Sequence, residues 1–186
     1  MKKVNNRLLI KVPILHTKED MGSLGHRLMV ANDYHREVYD YWGEIEARIK
    51  SLPYDFARMK VYQDGLPDTK PELVEKIVSE VQSPNYALLR WLKGKGATIA
   101  GTENPELATE EYQLLKAIFA ATDEKQKFEA RKRYQERADA LLSLRDNYIA
   151  QKIYSTLKSE ELGILFIGAA HYIESVLSKD ISVKSL

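Results

Sequence analysis

The sequence predicts an α/β fold, in which long helices flank a small, mostly parallel sheet of four to five strands. Short runs of branched apolar residues alternate with longer stretches of helical periodicity, and parallel strands need such helical crossovers between them. The chain has 186 residues, of which 44% are hydrophobic. This is enough for one buried core and typical of one domain, so we expect a single α/β domain over residues 1–186.

The apolar runs predict the strands in chain order. They cover residues 8–15, 57–62, 97–100 and 164–167, and a last short run over 180–183 predicts a fifth strand. The second run leads into Asp64-Gly65-Leu66-Pro67, which is typical of a turn. We therefore expect the second strand to end before these four residues.

The helices follow from apolar residues spaced three and four apart. The first covers 21–52 and carries a continuous apolar seam of ten positions that ends before Pro53. Further helices are expected over 71–81, 86–93 and 105–157, the last with a break near Thr122-Asp123. Because the 21–52 seam is longer than one small sheet covers, we expect it to hold a homo-oligomer together as well.

Composition excludes several kinds of site and partner. The absence of cysteine excludes disulfides, thiolate-bound metals and a cysteine nucleophile. The net charge is +1, so no basic field attracts nucleic acid or an acidic membrane, and the charge-dense 123–139 segment mixes both signs as solvated helix faces do. Lys11 and Pro13 interrupt the first apolar run, and no 18 apolar residues run together. We therefore expect no signal peptide, no membrane span and a cytoplasmic protein.

Candidate site residues come directly after the predicted strands. His16 follows the first, Asp64 the second, Glu103 the third and His171 the fourth. Ligands of open α/β sheets bind outside the carboxyl ends of the strands, so these side chains are expected at one edge. Two histidines and two carboxylates suit acid–base chemistry, or a divalent metal held by His16, His171 and Asp64. The alternative is that each is an ordinary capping, turn or packed polar residue.

Arg145 stands out because it lies on the apolar stripe of the last long helix, close to Ile149. An arginine is rarely buried without an anionic partner. We expect its guanidinium to point to the same edge and hold a carboxylate or phosphate. The alternatives are a snorkelling side chain or an ion pair with Asp64, Glu103 or Asp146.

Two motifs near the end of the chain carry a family resemblance. The stretch RDNYIA over 145–150, followed by a helix, a strand and GAAH over 168–171, resembles the ending of the TraB/TIKI/erythromycin-esterase/ChaN superfamily. Members typically show R-[ND]-x-x-[MI]-A and then G-x-x-H. The resemblance covers mainly residues 145–183, and Pro13 stands where the family's first motif has glycine. It implies a site of four residues: His16, Glu103, Arg145 and His171.

The resemblance implies a range of activities: metal-dependent peptidases, lactone-opening esterases with a histidine base, or a haem-binding lipoprotein. We expect a hydrolase of ester, lactone or peptide bonds that acts on a small molecule or peptide. Either His16 or His171 is the general base, or both bind a divalent metal that activates water. Glu103 orients a histidine or acts as a ligand, and Arg145 holds an anionic substrate group or developing charge. Two alternatives stay open: a non-catalytic protein that binds a ligand in the same pocket, and an oligomeric interaction protein built on the 21–52 helix.

Overall fold

The computed structural model describes residues 7–17 and 32–186, with side chains from residue 36 onward in the second range. Its main elements are β1 (Arg7–Pro13), α1 (Asn32–Lys50), β2 (Met59–Pro67), α2 (Pro71–Glu80), α3 (Pro84–Gly94), β3 (Thr98–Glu103), α4 (Pro105–Ala120), α5 (Glu124–Thr156), β4 (Leu162–Ile167) and β5 (Ile181–Ser185). Two short 3-10 helices, Phe56–Arg58 and Ile173–Ser175, precede β2 and follow β4.

The five strands form one sheet in the order β3–β2–β4–β1–β5. Every neighbouring pair is parallel. The central strand β4 pairs with β1 from Leu8↔Leu162 to Pro13↔Ile167. All strands therefore end at the same edge of the sheet, and the predicted helix-rich α/β fold with a parallel sheet is confirmed.

Helices cover both faces of the sheet. Alternation along β4 shows the two layers, because Ile164 and Phe166 pack under α1, α2 and α3, whereas Leu165 and Ile167 pack under α5. On the first face, the ring of Trp42 lies 6.0 Å from that of Phe166. A strand that is buried on both faces is continuously apolar, as the sequence of β4 is.

The seam predicted over 21–52 is only partly within the described residues. Helix α1 spans Asn32–Lys50, and residues 18–31 lie outside the described part. Four seam residues are buried against the sheet of their own chain: Val38, Trp42, Ile45 and Ile49. Because these four residues are covered within the chain, they give no support to an interface between copies. The homo-oligomer therefore stays a prediction.

The predicted end of β2 before residue 64 is wrong. The strand continues through Pro67, and its register with β3 shifts between Gln63 and Pro67. Gly65 has a φ of 75°, a conformation that glycine adopts at little cost and that is common at bulges. The turn-like residues are therefore a bulge that bends the strand instead of ending it.

The predicted break in the last long helix is confirmed at residues 121–123, where Asp123 caps α5 by accepting a hydrogen bond from the backbone N–H of Gln126. The charge-dense first half of α5 has no fully buried residue. Lys132 and Glu136 pair there at helical spacing, as on a solvated helix face. In the described part of the chain, no helix is both long and apolar enough to cross a lipid bilayer.

Candidate functional site

Six charged side chains meet at the carboxyl edge of the sheet, and we call them the edge cluster. They are Asp64 of β2, Glu103 of β3, Glu111 of α4, Arg145 and Asp146 of α5, and His171 of the loop after β4. Four of the six are buried: Asp64, Glu103, Asp146 and His171. Buried charges on this scale persist only where they are paired and hydrogen-bonded.

His171 lies between two aspartates. Its Nδ1 atom is 2.5 Å from Oδ1 of Asp146, and its Nε2 atom is 3.2 Å from Oδ2 of Asp64. Backbone N–H groups fix both carboxylates, since Tyr172 donates to Asp146 at 3.1 Å and Gly168 donates to Asp64 at 3.0 Å. The imidazole is therefore held in one orientation from both sides.

The small residues of the GAAH motif make this arrangement possible. A Cβ atom at Gly168 would lie 3.3 Å from the Asp64 carboxylate, so glycine lets the loop approach β2 closely. The loop then turns, with the N–H of His171 donating to the carbonyl of Gly168 at 3.2 Å. This turn brings the imidazole back over the end of β2.

The two aspartates favour the charged imidazole. Burial lowers the pKa of His171, but the hydrogen bonds with Asp64 and Asp146 outweigh it, and the pKa is raised above its ordinary value of 6.5. Burial raises the pKa of Asp64, but His171, Arg145 and the N–H of Gly168 together lower it to about 2. Asp64 is therefore ionised at neutral pH, and its negative charge favours the protonated form of the neighbouring imidazole.

Arg145 binds three carboxylates. Its Nε and Nη2 atoms donate to Glu103 at 3.0 and 2.6 Å. Nη1 donates to Glu111 at 2.7 Å, and Nη2 donates to Asp64 at 3.3 Å. Four of its five N–H groups are thereby bonded to these carboxylates, and among the described residues one remains for another acceptor. The anionic partners expected for Arg145 are thus supplied by the protein itself.

The edge cluster carries more negative than positive groups, because four carboxylates surround one guanidinium and one imidazole. Burial raises the pKa of Glu103 more than Arg145 lowers it, which relieves part of this excess by favouring a proton on Glu103. Such a site attracts hydrogen-bond donors and cations and repels anions.

His16 differs from the other candidates in its exposure. The backbone N–H of Ile14 donates to Ile167 at 2.9 Å, so the chain leaves β1 beside the end of β4, at the predicted edge. The His16 side chain is exposed, and the contacts that define the edge cluster do not include it. Asp64, Glu103, Arg145 and His171 do come together as expected.

The metal site predicted from His16, His171 and Asp64 was compared with this geometry. Both ring nitrogens of His171 already face aspartates. Within residues 7–17 and 32–186, no group of three or more histidine, aspartate and glutamate side chains is arranged to hold a metal ion. These side chains do not fit a metal ion as they are placed, and the metal stays a prediction from the sequence pattern.

Two members of the edge cluster were not predicted as site residues. Asp146 follows Arg145 inside the RDNYIA stretch, and the pattern suggested it only as an ion-pair partner of that arginine. Its buried position and its bond to His171 give it a different role. Glu111 lies on α4 and reaches Arg145 only because α4 folds back on α5, which no local pattern indicates.

Comparison of the chain with protein-family models finds no match, and neither curated proteins nor solved structures match it significantly. The superfamily resemblance of the two motifs therefore stays a prediction.

Proposed function

We propose that the protein is a hydrolase in which His171 transfers the proton and Asp146 positions it. One observation carries this proposal: a buried imidazole at the carboxyl edge of a parallel sheet lies between two carboxylates, at 2.5 and 3.2 Å. A histidine whose one nitrogen is fixed by an acid, and whose other nitrogen faces a reacting group, is a common proton-transfer device.

The two nitrogens of His171 have different parts in this proposal. The contact of Nδ1 with Asp146 is the shorter one, so Nδ1 stays bound and fixes the ring. The longer contact, between Nε2 and Asp64, is the one that a substrate can replace. In this reaction, water adds to the carbonyl carbon and the bond from that carbon to the leaving oxygen or nitrogen breaks. As a general acid, His171 gives its Nε2 proton to the leaving atom, and the proton released by the attacking water returns to the imidazole. The two aspartates raise the pKa of His171, which favours the protonated imidazole that a general acid requires.

Arg145 and Glu103 hold the edge in place. Arg145 donates hydrogen bonds to Glu103 of β3 and to Asp64 of β2, and so connects these two strands. Because four of the five guanidinium N–H groups of Arg145 already bond to carboxylates of the protein, few donors remain to bind an anionic group of a substrate. The negative excess of the edge cluster favours esters, lactones or amides that are neutral or carry a positive charge near the scissile bond.

A cytoplasmic location and a homo-oligomer belong to this proposal as predictions from the sequence.

Hydrolysis of a small substrate panel tests the proposal. Purified protein is assayed with p-nitrophenyl acetate and butyrate, an aromatic lactone and a fluorogenic dipeptide amide at pH 7. Replacing His171 by Gln is expected to lower the rate on the preferred substrate about 100-fold or more, because general acid–base groups contribute at that level. Tyr172→Phe, at the exposed neighbouring position, is the matched control and keeps full activity. Water-level rates on every substrate, or an active His171→Gln variant, would contradict the proposal.

A non-catalytic ligand-binding protein is the second candidate. The observation that favours it is the near-complete use of hydrogen-bonding groups in the edge cluster, where Arg145 and His171 bond to the protein's own acids. In that case small cationic amides such as arginine amide bind and are recovered unchanged. Calorimetric binding without any product, lost in Asp64→Asn, distinguishes this function from hydrolysis.

A further inference from the structure

A cleft of about 330 Å³ lies along β3. Residues 98–101 of β3 form one wall, Val74 and Val78 of α2 contribute a second, and Lys152 of α5 closes a third. Helices α2 and α5 cover opposite faces of the sheet. A cavity that touches an edge strand and helices from both faces lies beside that strand, in the plane of the sheet.

β3 offers free backbone groups to this cleft. It is the first strand in the sheet order, and β2 is its only partner among the described strands. No backbone hydrogen bond from a described turn or loop reaches residues 98–101. An edge strand of this kind presents unpaired N–H and C=O groups, which a further strand can bind. The four residues extend over roughly 13 Å.

The cleft differs in polarity between its two sides. The α2 side is apolar through Val74 and Val78, whereas the α5 side presents Lys152. Lys152 is paired with Asp68 at 2.6 Å, and Lys93 at the rim is paired with Glu75 at 2.7 Å. Because Asp68 neutralises Lys152 and Glu75 neutralises Lys93, the lining of the cleft has no net charge from these pairs. A ligand that carries dipoles and no net charge therefore fits it best. A peptide backbone has that character, whereas a phosphate or nucleic acid does not.

We propose that an extended, uncharged peptide segment binds in this cleft as a sixth strand beside β3. Its backbone bonds to the outer edge of residues 98–101. Side chains in a strand point alternately to the two faces, so apolar residues of the peptide pack on Val74 and Val78, and polar residues lie beside Lys152. This mode of recognition is strand addition. It goes beyond the proposed hydrolase, because it requires no reaction at the edge cluster.

The test uses two peptides that differ only in backbone donors. The first is the blocked hexapeptide acetyl-Val-Thr-Val-Thr-Val-Thr-amide, and the second is the same peptide methylated on alternate backbone nitrogens. Binding to the full chain is measured by calorimetry, and hydrogen exchange is followed at the amides of residues 98–101. We expect the first peptide to slow exchange at those of the four amides that point away from β2, because alternate N–H groups of an edge strand already bond to its partner. The methylated peptide should bind at least about tenfold more weakly, because it lacks the donors of several backbone bonds.

Variants locate the binding site. Thr98 is exposed, so Thr98→Trp is expected to fold normally, to narrow the cleft and to weaken binding at least about tenfold. Thr109→Trp, at an exposed site on α4, is the matched control and leaves binding unchanged. Equal affinity for the two peptides would overturn the proposal, as would unchanged exchange of residues 98–101 at millimolar peptide. Protection of those amides by edge-to-edge pairing of two copies would overturn it as well.

Discussion

The Nδ1 atom of His171 lies 2.5 Å from Oδ1 of Asp146, a residue 25 positions earlier in the chain. This contact joins α5 to the loop after β4, and it is fixed further by the hydrogen bond from the N–H of Tyr172 to the same carboxylate. The direction of the imidazole is therefore set before any substrate binds. Preorganisation of this kind is what positions a proton-transfer group.

Asp146 should raise the pKa of His171 as well as orient it. In Asp146→Asn the charge is lost and the shape is kept, so we expect the pKa of His171 to fall, because one of the two carboxylates that favour the imidazolium ion is gone. A proton NMR titration of the ring measures this shift directly. Asn147 is exposed on the same helix, and Asn147→Ala provides the control. An unchanged pKa in Asp146→Asn would show that Asp64 alone sets it.

The stability of the protein should depend on pH through three groups of the edge cluster. Asp64 has a pKa of about 2 in the fold against an ordinary 3.8, so its contribution is present above about 3.8 and is lost as the pH falls towards 2. Glu103 and His171 have raised pKa values. The folded protein therefore holds their protons more tightly, and stability falls as the pH rises above 4.5 for Glu103 and above 6.5 for His171.

Urea unfolding between pH 3 and pH 9 measures this profile. In His171→Gln the fall above pH 6.5 should disappear, whereas in Glu103→Gln the part that begins near pH 4.5 should disappear. If both variants keep the wild-type profile, the edge cluster does not control the pH dependence.

Removing Arg145 should destabilise the fold strongly. Arg145→Met leaves Asp64, Glu103 and Glu111 close together without their shared cation, and breaking a buried ion pair from one side costs about 3–5 kcal/mol. Arg137 pairs with Glu110 at the surface of the same helix, and Arg137→Met should leave the urea midpoint almost unchanged. Similar effects of the two substitutions would show that the buried network is dispensable.

Trp42 should act as a core residue of its own chain. It is 2% exposed, it packs on Phe166, and its Nε1–H donates to the carbonyl of Leu15 at 2.9 Å. Trp42→Ala should therefore lower the free energy of unfolding by about 3–5 kcal/mol, whereas Tyr39→Ala, at an exposed position on the same helix, should have a small effect. Light scattering shows whether the wild type is an oligomer. A variant that dissociates without losing stability would instead support an interface on α1.

Two glycines should respond to alanine in opposite ways. A Cβ atom at Gly101 would lie 2.1 Å from the carbonyl oxygen of Pro67. Gly101→Ala must therefore push β2 and β3 apart and is expected to cost about 1–3 kcal/mol or more. Gly43 is helical and has no neighbour within 4 Å of such an atom, so Gly43→Ala should stabilise the protein by up to about 1 kcal/mol. Thermal unfolding of the two variants measures both signs, and a stable Gly101→Ala variant would contradict the close approach.

The order of strands and helices could be predicted because each element has a local pattern of apolar residues in the sequence. The sequences of β1 and β4 are mostly apolar, those of β3 and β5 contain shorter runs with Ile99, Ile181 and Val183, and helical spacing marks the segments between them. Strands with helical crossovers form parallel sheets, and their ends meet at one edge. The placement of Asp64, Glu103 and His171 at one edge of the sheet follows from that rule.

Other features depended on distances that no local pattern contains. The sheet order β3–β2–β4–β1–β5 decides that β2, which carries Asp64, and β4, which leads into the loop with His171, are direct neighbours. The continuation of β2 to Pro67 depends on its pairing with β3, which overrides the turn preference of residues 64–67. Pairing energy from a neighbouring strand is a tertiary effect, and turn propensity is a weak local one.

The sequence by itself determined the fold class, the parallel sheet edge and four of the six side chains of the edge cluster. Only the tertiary structure decided which atoms touch. Successive residues of a helix point about 100° apart, so Arg145 contacts Glu103 whereas its neighbour Asp146 contacts His171. Only the packing of the helix on the sheet determines which side chain meets which partner. Hydrogen bonds act within about 3 Å, so the chemistry of this edge depends on placements that periodicity cannot resolve.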